Sequence, residues 1–200
     1  MSRVVNGKRR GNSKKAIVFV CVAAVIAAAI IIGAFVVLPA LERQQYNLEY
    51  KDLIEQYSAK YNIDPYFTAA VIHTESGFDA EAVSEAGAIG LMQIMPETGE
   101  WIAGKLGNAE FKTQDLNDPA TNIEMGCWYL QFLSERFDNN LPVMMAAYNA
   151  GHNKVREWLE DAKYSQDGKT LTEIPYEQTE NYVKKVTKAY EKYKEFYELG

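Results

Sequence analysis

The stretch Glu75–Thr98 of the chain reads ESGFDAEAVSEAGAIGLMQIMPET. It sets one acid, Glu75, before a turn rich in glycine, alanine and serine, and then an apolar segment that contains a single glutamine, Gln93. Turn-forming residues between two apolar segments predict that the chain reverses here. The arrangement suits a carboxyl group that holds its proton near neutral pH and donates it to something lying in a groove.

Glu75 is expected at the end of a buried helix. Asp64 and Pro65 form a helix start, since the aspartate can cap and proline fits the first helical position. The residues after them are apolar nearly all round, which predicts burial on most sides, and Gly77 is a natural stop. Loss of water and the negative end of the helix dipole then both raise the pKa of Glu75. A glutamate in isolation is mostly a solvated surface residue, so this interpretation depends on the residues that follow.

The rest of the chain predicts helices and almost no strands, so the expected fold class is all-α. A helix over Leu41–Tyr61 is expected to link an N-terminal segment to the main domain. Tyr164–Thr172 is polar and predicts a loop. Three further helices are predicted to begin at Pro96, at Pro119 after Asp118, and at Pro142. A short helix is predicted over Asn153–Glu160, and a final helix carries an apolar stripe from Tyr182 to Phe196.

Four separated motifs resemble the catalytic core of the soluble-lytic-transglycosylase family, lysozyme-like enzymes that cut the glycan strands of peptidoglycan. The order of the motifs and their spread over residues 63–186 make the resemblance specific, whereas one such motif alone is a weak signal. The motifs are ESGF at 75–78 with Ser84, GAIGLMQIMP at 87–96 and Thr98; Asn122-Ile123, Gly126 and Tyr129-Leu130; AYNAG at 147–151 with Val155 and Trp158; and Ile174-Pro175-Tyr176, Thr179 and Tyr182-Val183.

The resemblance implies a role for each candidate site residue. Glu75 resembles the catalytic acid of the family. Many members carry a glutamate where this chain has Gln178; an amide can replace a side chain that only hydrogen-bonds, but activity would fall if the negative charge matters. The implied substrate-binding residues are Ser84 and Gln93, which hydrogen-bond sugar substituents, Met95, which lines the groove, Tyr148 and Asn149, which face Glu75 across the cleft, and Gln178 and Tyr182, which complete the wall.

Cutting a glycosidic bond usually needs a pair of carboxylates. Spacing alone does not select a second acid among Asp79, Glu81, Glu85 and Glu97. The resemblance implies that there is none, because the 2-acetamido group of the substrate supports the anomeric carbon. Glu75 would first protonate the leaving oxygen and then take a proton from the 6-hydroxyl of the same muramic acid, which leaves a 1,6-anhydro end without consuming water.

Two other functions stay open at this point. Goose-type lysozymes share a similar core with one principal glutamate, so the chain could be a peptidoglycan hydrolase. It could also be a catalytically inactive anchored domain that binds glycan or scaffolds wall-spanning machinery. The intact set of Glu75, Ser84, Gln93 and Tyr148 argues against an inactive domain, whereas Gln178 leaves that alternative open.

Composition excludes some classes of partner. The 200-residue chain has a net charge of −6, and the residues after position 41 carry 15 basic and 27 acidic side chains, a net charge of −12. An acidic domain argues against nucleic acid as a partner. The two histidines, His73 and His152, are far apart in sequence, and the two cysteines form no ligand cluster, so neither a metal nor another cofactor is expected.

The N-terminus predicts the location of the protein. Ala16–Leu38 is an uncharged apolar run of 23 residues, long enough to cross a hydrocarbon core that needs ~20. A cleaved signal peptide would have a shorter apolar region, about 7–15 residues. Six positive charges before the run predict a cytoplasmic N-terminus and an outer catalytic domain. The expected parts are a basic tail (1–15), a single membrane span (16–38), a helical linker (39–62) and a lysozyme-like transglycosylase domain (63–200).

Overall fold

The computed structural model describes residues 9–200, with side chains described from Lys14 onward. The chain divides into two compact units, of which the first ends at Asn47 and the second covers Leu48–Gly200. The predicted basic tail of residues 1–15 lies mostly outside the described residues. Over residues 9–200 the regular elements are all helical, apart from isolated bridges within residues 83–94, so the all-α prediction is confirmed.

The first unit is a long helical segment. Helix α1 (Arg9–Ile32) continues through a π-helical stretch, Gly33–Val37, into α2 (Leu38–Gln45). The π stretch lies just before Pro39, whose nitrogen carries no hydrogen for the usual helical bond. Large apolar side chains along the whole helical segment are exposed, for example Phe19 in α1 by 76% and Phe35 in the π stretch by 78%. The segment Lys14–Gln45 is long and apolar enough to cross a membrane by its length and composition.

The helix predicted over Leu41–Tyr61 is interrupted. Helix α2 ends at Gln45, and α3 (Lys51–Lys60) begins after Tyr50, which has a left-handed φ of 52°. Helix α3 buries Ile54 and Ser58 and packs on two later helices of the second unit. The apolar spacing was therefore interpreted correctly as helical. The second half of the predicted helix, which is α3, packs in the core of the second unit.

The second unit contains six further α-helices among the described residues. The aspartate-proline starts are confirmed: the Asp64 side chain accepts a hydrogen bond from the Tyr66 amide at 2.9 Å, and Asp118 accepts one from Thr121 at 2.8 Å. These caps form because they need only neighbouring residues. The helices are α4 (Pro65–Glu75), α5 (Pro96–Leu106), α6 (Pro119–Arg136), α7 (Leu141–Ala150), α8 (His152–Glu160) and α9 (Glu177–Phe196), with a 3₁₀ segment at Thr113–Asn117.

Helix α4 is the centre of this unit. Six consecutive residues, 67–72, are buried, as expected for a helix that is apolar on all sides. It packs mainly on α9 and also on α3, while α7 packs on α6, α8 and α9. Full burial of Phe67 or Ile72 stabilises the fold by about 1.5–3 kcal/mol each. The rigid core thereby fixes the C-terminal end of α4, where Glu75 lies.

Candidate active site

Glu75 is the last residue of α4 and is half-buried. Burial raises the pKa of its carboxyl from 4.5 to about 7, while the nearby Tyr182 hydroxyl lowers it. The direction agrees with the sequence prediction, and the main cause is loss of water. A carboxyl with a pKa near 7 is partly protonated at neutral pH, so it can both give and take a proton.

Two tyrosines lie beside this carboxyl. The charge of Glu75 contributes, after burial, to the raised pKa of both Tyr148 on α7 and Tyr182 on α9. The Tyr148 hydroxyl donates a hydrogen bond to the Met92 carbonyl at 2.8 Å. The Tyr182 side chain is only 8% exposed, and its hydroxyl lies near Glu75 without reaching full hydrogen-bond geometry to any described residue. The Tyr148 hydroxyl therefore has a backbone partner, whereas the Tyr182 hydroxyl is buried and faces Glu75.

Tyr148 lines one recess and Tyr182 lines another. The first, here called the central recess, has a volume of about 310 Å³ and is lined by ten residues that include Gln93, Met95, Tyr148 and Asn149. The second, the α9 recess, has a volume of about 320 Å³. Asn149 lines both of them. The α9 recess is lined by Thr74, Asn149, Gln178, Asn181, Tyr182 and Lys185.

Six of the seven predicted substrate-binding residues therefore line these two recesses, and Ser84 lines neither. Ser84 instead closes the turn that follows Glu75: its Oγ accepts a hydrogen bond from the Ala88 amide at 2.9 Å. In Asn149, Oδ1 accepts a hydrogen bond from the Thr179 hydroxyl at 2.8 Å, which ties α7 to α9. Gln178 is exposed at the rim.

Gln93 combines a place in the recess with a structural role. Its backbone has a left-handed φ of 48°. Its side-chain Nε2 donates hydrogen bonds to the backbone carbonyls of Ala82 at 3.1 Å and Gly90 at 2.9 Å. The amide nitrogen is thus used in holding the turn, which leaves Oε1 as the polar atom that a ligand could use.

Asn122 on α6 supports the same turn and was not predicted as a site residue. It is fully buried. Its Oδ1 accepts a hydrogen bond from the Met92 amide at 2.8 Å, and its Nδ2 donates to the carbonyls of Ile89 at 3.0 Å and Leu116 at 2.7 Å. A Cβ on Gly90 would collide with this amide. A single asparagine on an otherwise apolar helix face was the sequence signal, because a buried amide needs partners for all its polar atoms.

No acidic side chain lines either of the two recesses; Glu75 itself is next in the chain to Thr74, which lines the α9 recess. Asp79, Glu81, Glu85 and Glu97 are all exposed, and neither the central nor the α9 recess includes any of them. Among residues 9–200, no three His, Cys, Asp or Glu side chains group closely enough to hold a metal ion. Glu75 is therefore the carboxyl that this geometry offers for proton transfer.

Comparison with known proteins identifies the family. The family model described as the transglycosylase SLT domain matches residues 52–171, which is more than half of the chain. The chain belongs to this family. Its sequence is 35% identical over 156 residues to the soluble lytic murein transglycosylase of Escherichia coli K12, covering 77% of this chain and 24% of that protein. It is also 31% identical over 166 residues to the membrane-bound lytic murein transglycosylase C of Actinobacillus pleuropneumoniae, covering 72% of this chain and 46% of that protein.

Solved structures show the same fold. The 70 kDa soluble lytic transglycosylase of E. coli superposes with a TM-score of 0.67 at 34% identity, covering 76% of this chain and 25% of that one. A 70 kDa soluble lytic transglycosylase in complex with bulgecin A matches with the same TM-score and identity. A lytic transglycosylase from Pseudomonas aeruginosa superposes with a TM-score of 0.66 at 28% identity, covering 75% of this chain and 25% of that one. It was solved as an inactive variant in which one glutamate is changed to glutamine. The chain thus spans about a quarter of these relatives.

Proposed function

We propose that this protein is a membrane-anchored lytic transglycosylase that cuts the bond between N-acetylmuramic acid and N-acetylglucosamine in peptidoglycan. The observation that carries the proposal is Glu75, a half-buried carboxyl with a pKa of about 7 that lies close to Tyr148 and Tyr182, which line the two recesses. Family membership and the names of the relatives support the same activity.

A single acid is sufficient for a complete reaction. Protonated Glu75 gives its proton to the glycosidic oxygen, the bond from that oxygen to the anomeric carbon breaks, and the carbonyl oxygen of the 2-acetamido group supports the anomeric carbon. The Glu75 carboxylate then takes the proton of the 6-hydroxyl, and the 6-oxygen bonds to the anomeric carbon. The acid ends protonated, and no water is consumed. The inactive glutamate-to-glutamine variant of the Pseudomonas relative supports dependence on one acid.

The surrounding residues position the sugar in this proposal. The Tyr182 hydroxyl, which is buried beside Glu75, orients that carboxyl for proton transfer. Met95 gives apolar contact in the central recess, and the Oε1 of Gln93 accepts from a sugar substituent. Tyr148 acts by fixing the Met92 carbonyl, and Gln178 reaches the sugar from the rim of the α9 recess.

The location follows from the first unit. The apolar helix Lys14–Gln45 exposes its side chains along its length and has the composition of a membrane span. With positive charges before it, the second unit would lie outside the cytoplasmic membrane, where peptidoglycan is found. The name of the membrane-bound relative supports anchoring.

Product analysis tests the proposal. The full chain, purified in detergent, is incubated with peptidoglycan, and the released fragments are measured by mass spectrometry. We expect 1,6-anhydro ends, each lighter by one water than a hydrolysed end, and a loss of at least about a hundredfold in rate for Glu75→Gln, since a general acid contributes that much. Reducing ends in place of anhydro ends would identify a hydrolase, and full activity of the variant would remove Glu75 from the chemistry.

A further inference from the structure

A rigid aromatic surface lies on α5 and α6. The Trp101 ring stands edge-on to three other rings, with centroid distances of 5.2 Å to Trp128, 6.3 Å to Tyr129 and 5.1 Å to Phe132. Trp101 nevertheless remains 37% exposed. Three edge contacts fix the plane of the indole, because aromatic pairs hold preferred geometries. Its exposed part is therefore a flat apolar platform of fixed orientation.

This surface lines a third recess that continues the central one. The aromatic recess has a volume of about 430 Å³, and its lining includes Trp101, His152, Lys154 and Glu157. Thr98, Tyr129, Ala150 and Gly151 line both the central and the aromatic recess. Tyr129 also contacts the ring of Tyr148 at a centroid distance of 5.5 Å. A polymer lying in the central recess can therefore continue onto Trp101.

The charges of the aromatic recess favour a neutral occupant. The Lys154 ammonium lies 2.5 Å from the Glu157 carboxylate, so the two charges compensate one another. Burial and the positive charges of Arg136 and Arg156 lower the pKa of His152, so the imidazole is uncharged at neutral pH. A peptide stem with free carboxylates would need a cation that is not already paired. The apolar C–H face of an uncharged sugar ring matches the exposed indole without one.

We propose that the aromatic recess is a subsite for a further sugar of the glycan strand, with the sugar ring stacked on Trp101. This inference rests on the proposed function, since that sugar belongs to the same strand whose bond lies beside Glu75. A sugar stacked on Trp101 lies away from the reacting bond, so it supplies binding energy that only long strands can use. The protein therefore selects substrates by length, and Trp101 is a specificity residue for that selection.

Calorimetric titration with chitin oligosaccharides tests the subsite. The protein is the full chain with Glu75→Gln, which prevents turnover, in a zwitterionic detergent that carries no sugar. We expect chitohexaose to bind about tenfold more tightly than chitotriose, and Trp101→Ala to remove about tenfold of the hexaose affinity, the size of a good aromatic contact. The triose affinity should change less than about twofold. Trp101→Phe keeps the ring and the fold and should retain part of the hexaose affinity.

Leu106→Ala is the matched control. Leu106 lies on the same helix, is also 37% exposed, and lines none of the three recesses, so both affinities should stay at the parent value. Equal affinities of the native Trp101 protein for chitohexaose and chitotriose would overturn the subsite while leaving the proposed function intact. The same holds if each Trp101 variant lost affinity for the two sugars to the same extent. If the protein bound neither sugar, the proposed function itself would fail.

Discussion

At the scale of single residues, the Glu75 carboxyl makes stability depend on pH. Its pKa is about 7 in the folded protein against 4.5 ordinarily, so the folded state binds the proton more tightly than the unfolded state. The stabilisation from this proton is complete below pH 4.5 and is lost as the pH rises through about 7, by about 2–3 kcal/mol. Glu75→Gln carries no charge, so it should be more stable than the native protein at pH 8 by about that amount and equal to it near pH 4.

Thermal unfolding of the full chain, followed by circular dichroism at both pH values, measures this difference. Glu81→Gln serves as the control, because Glu81 is exposed in the same turn region and its replacement should give the same stability as the native chain at both pH values. A Glu75→Gln variant with no advantage at pH 8 would show that the carboxyl is well solvated, and the assignment of Glu75 as a neutral acid would be lost.

Tyr148 and Tyr182 form a second matched pair at this scale. Tyr148→Phe loses the 2.8 Å hydrogen bond to the Met92 carbonyl and should lower the free energy of unfolding by about 1–2 kcal/mol. Tyr182→Phe loses no complete hydrogen bond, so its stability should stay within about 1 kcal/mol of the native value.

The pH profile of kcat/KM separates the two variants further. Tyr182→Phe should lower activity at least about tenfold because Glu75 loses the hydroxyl that orients it, and should move the alkaline limb to higher pH, since this hydroxyl opposes the rise in the Glu75 pKa. A native rate and profile for Tyr182→Phe would assign the tyrosine to packing alone.

At the scale of helices, Gly126 on α6 and Gly104 on α5 should respond oppositely to alanine. A Cβ on Gly126 would collide with the Met92 side chain, which is fully buried and would have to repack within the core, whereas nothing lies within 4 Å of a Cβ on Gly104. Gly104→Ala should stabilise the protein by about 0.5–1 kcal/mol through helix propensity. Gly126→Ala should destabilise it by about 1–3 kcal/mol because overpacking outweighs that gain.

Urea or thermal unfolding of the two variants checks the comparison. Activity adds a second readout, because Met92 carries the backbone atoms that bind Tyr148 and Asn122. Gly126→Ala should therefore also reduce the rate of peptidoglycan cleavage, and Gly104→Ala should not. Stabilisation by both substitutions would show that Met92 can repack without cost.

The helices also show what the sequence could predict. Starts at Asp64-Pro65 and Asp118-Pro119 were predictable because a cap and a proline act on their immediate neighbours. The break after Gln45 was not, since the same apolar spacing fits one long helix or two short ones, and only packing of α3 in the core decides. The turn after Glu75 was predicted, but its dependence on Asn122, thirty residues away from Met92, was not.

The candidate site divides in the same way. Motif residues were predicted, and the structure brings six of the seven predicted substrate-binding residues around two recesses. The hydrogen-bond partners of these side chains were not predicted. The Ser84 hydroxyl and the Gln93 side-chain nitrogen bind backbone atoms of the turn, and whether a side chain binds backbone or sugar depends on distances that the sequence does not give. Trp101 lies in the helix that was predicted to open at Pro96, and nothing in the sequence places its ring beside Tyr129.

At the scale of the whole molecule, the exposed apolar helix of the first unit predicts that the protein stays in the membrane. The segment from Ala16 to Leu41 carries no charge, and at 1.5 Å per residue it is longer than the ~30 Å hydrocarbon core. Washing membranes at alkaline pH should leave the native chain in the pellet. Lysines at Val25 and Ile26, near the middle of the run, should release a large fraction, because each costs about 3 kcal/mol at the centre of a span.

Orientation requires a separate measurement on intact spheroplasts of a bacterial host. With the N-terminus inside, added protease should digest the second unit and spare a tag placed before residue 1. Six basic residues lie before Ala16 and only Arg43 lies shortly after the run, which favours that orientation, since basic residues prefer the cytoplasmic side. Digestion of the tag in place of the second unit would put Glu75 on the side of the membrane that holds no peptidoglycan, and the proposed substrate would have to be abandoned.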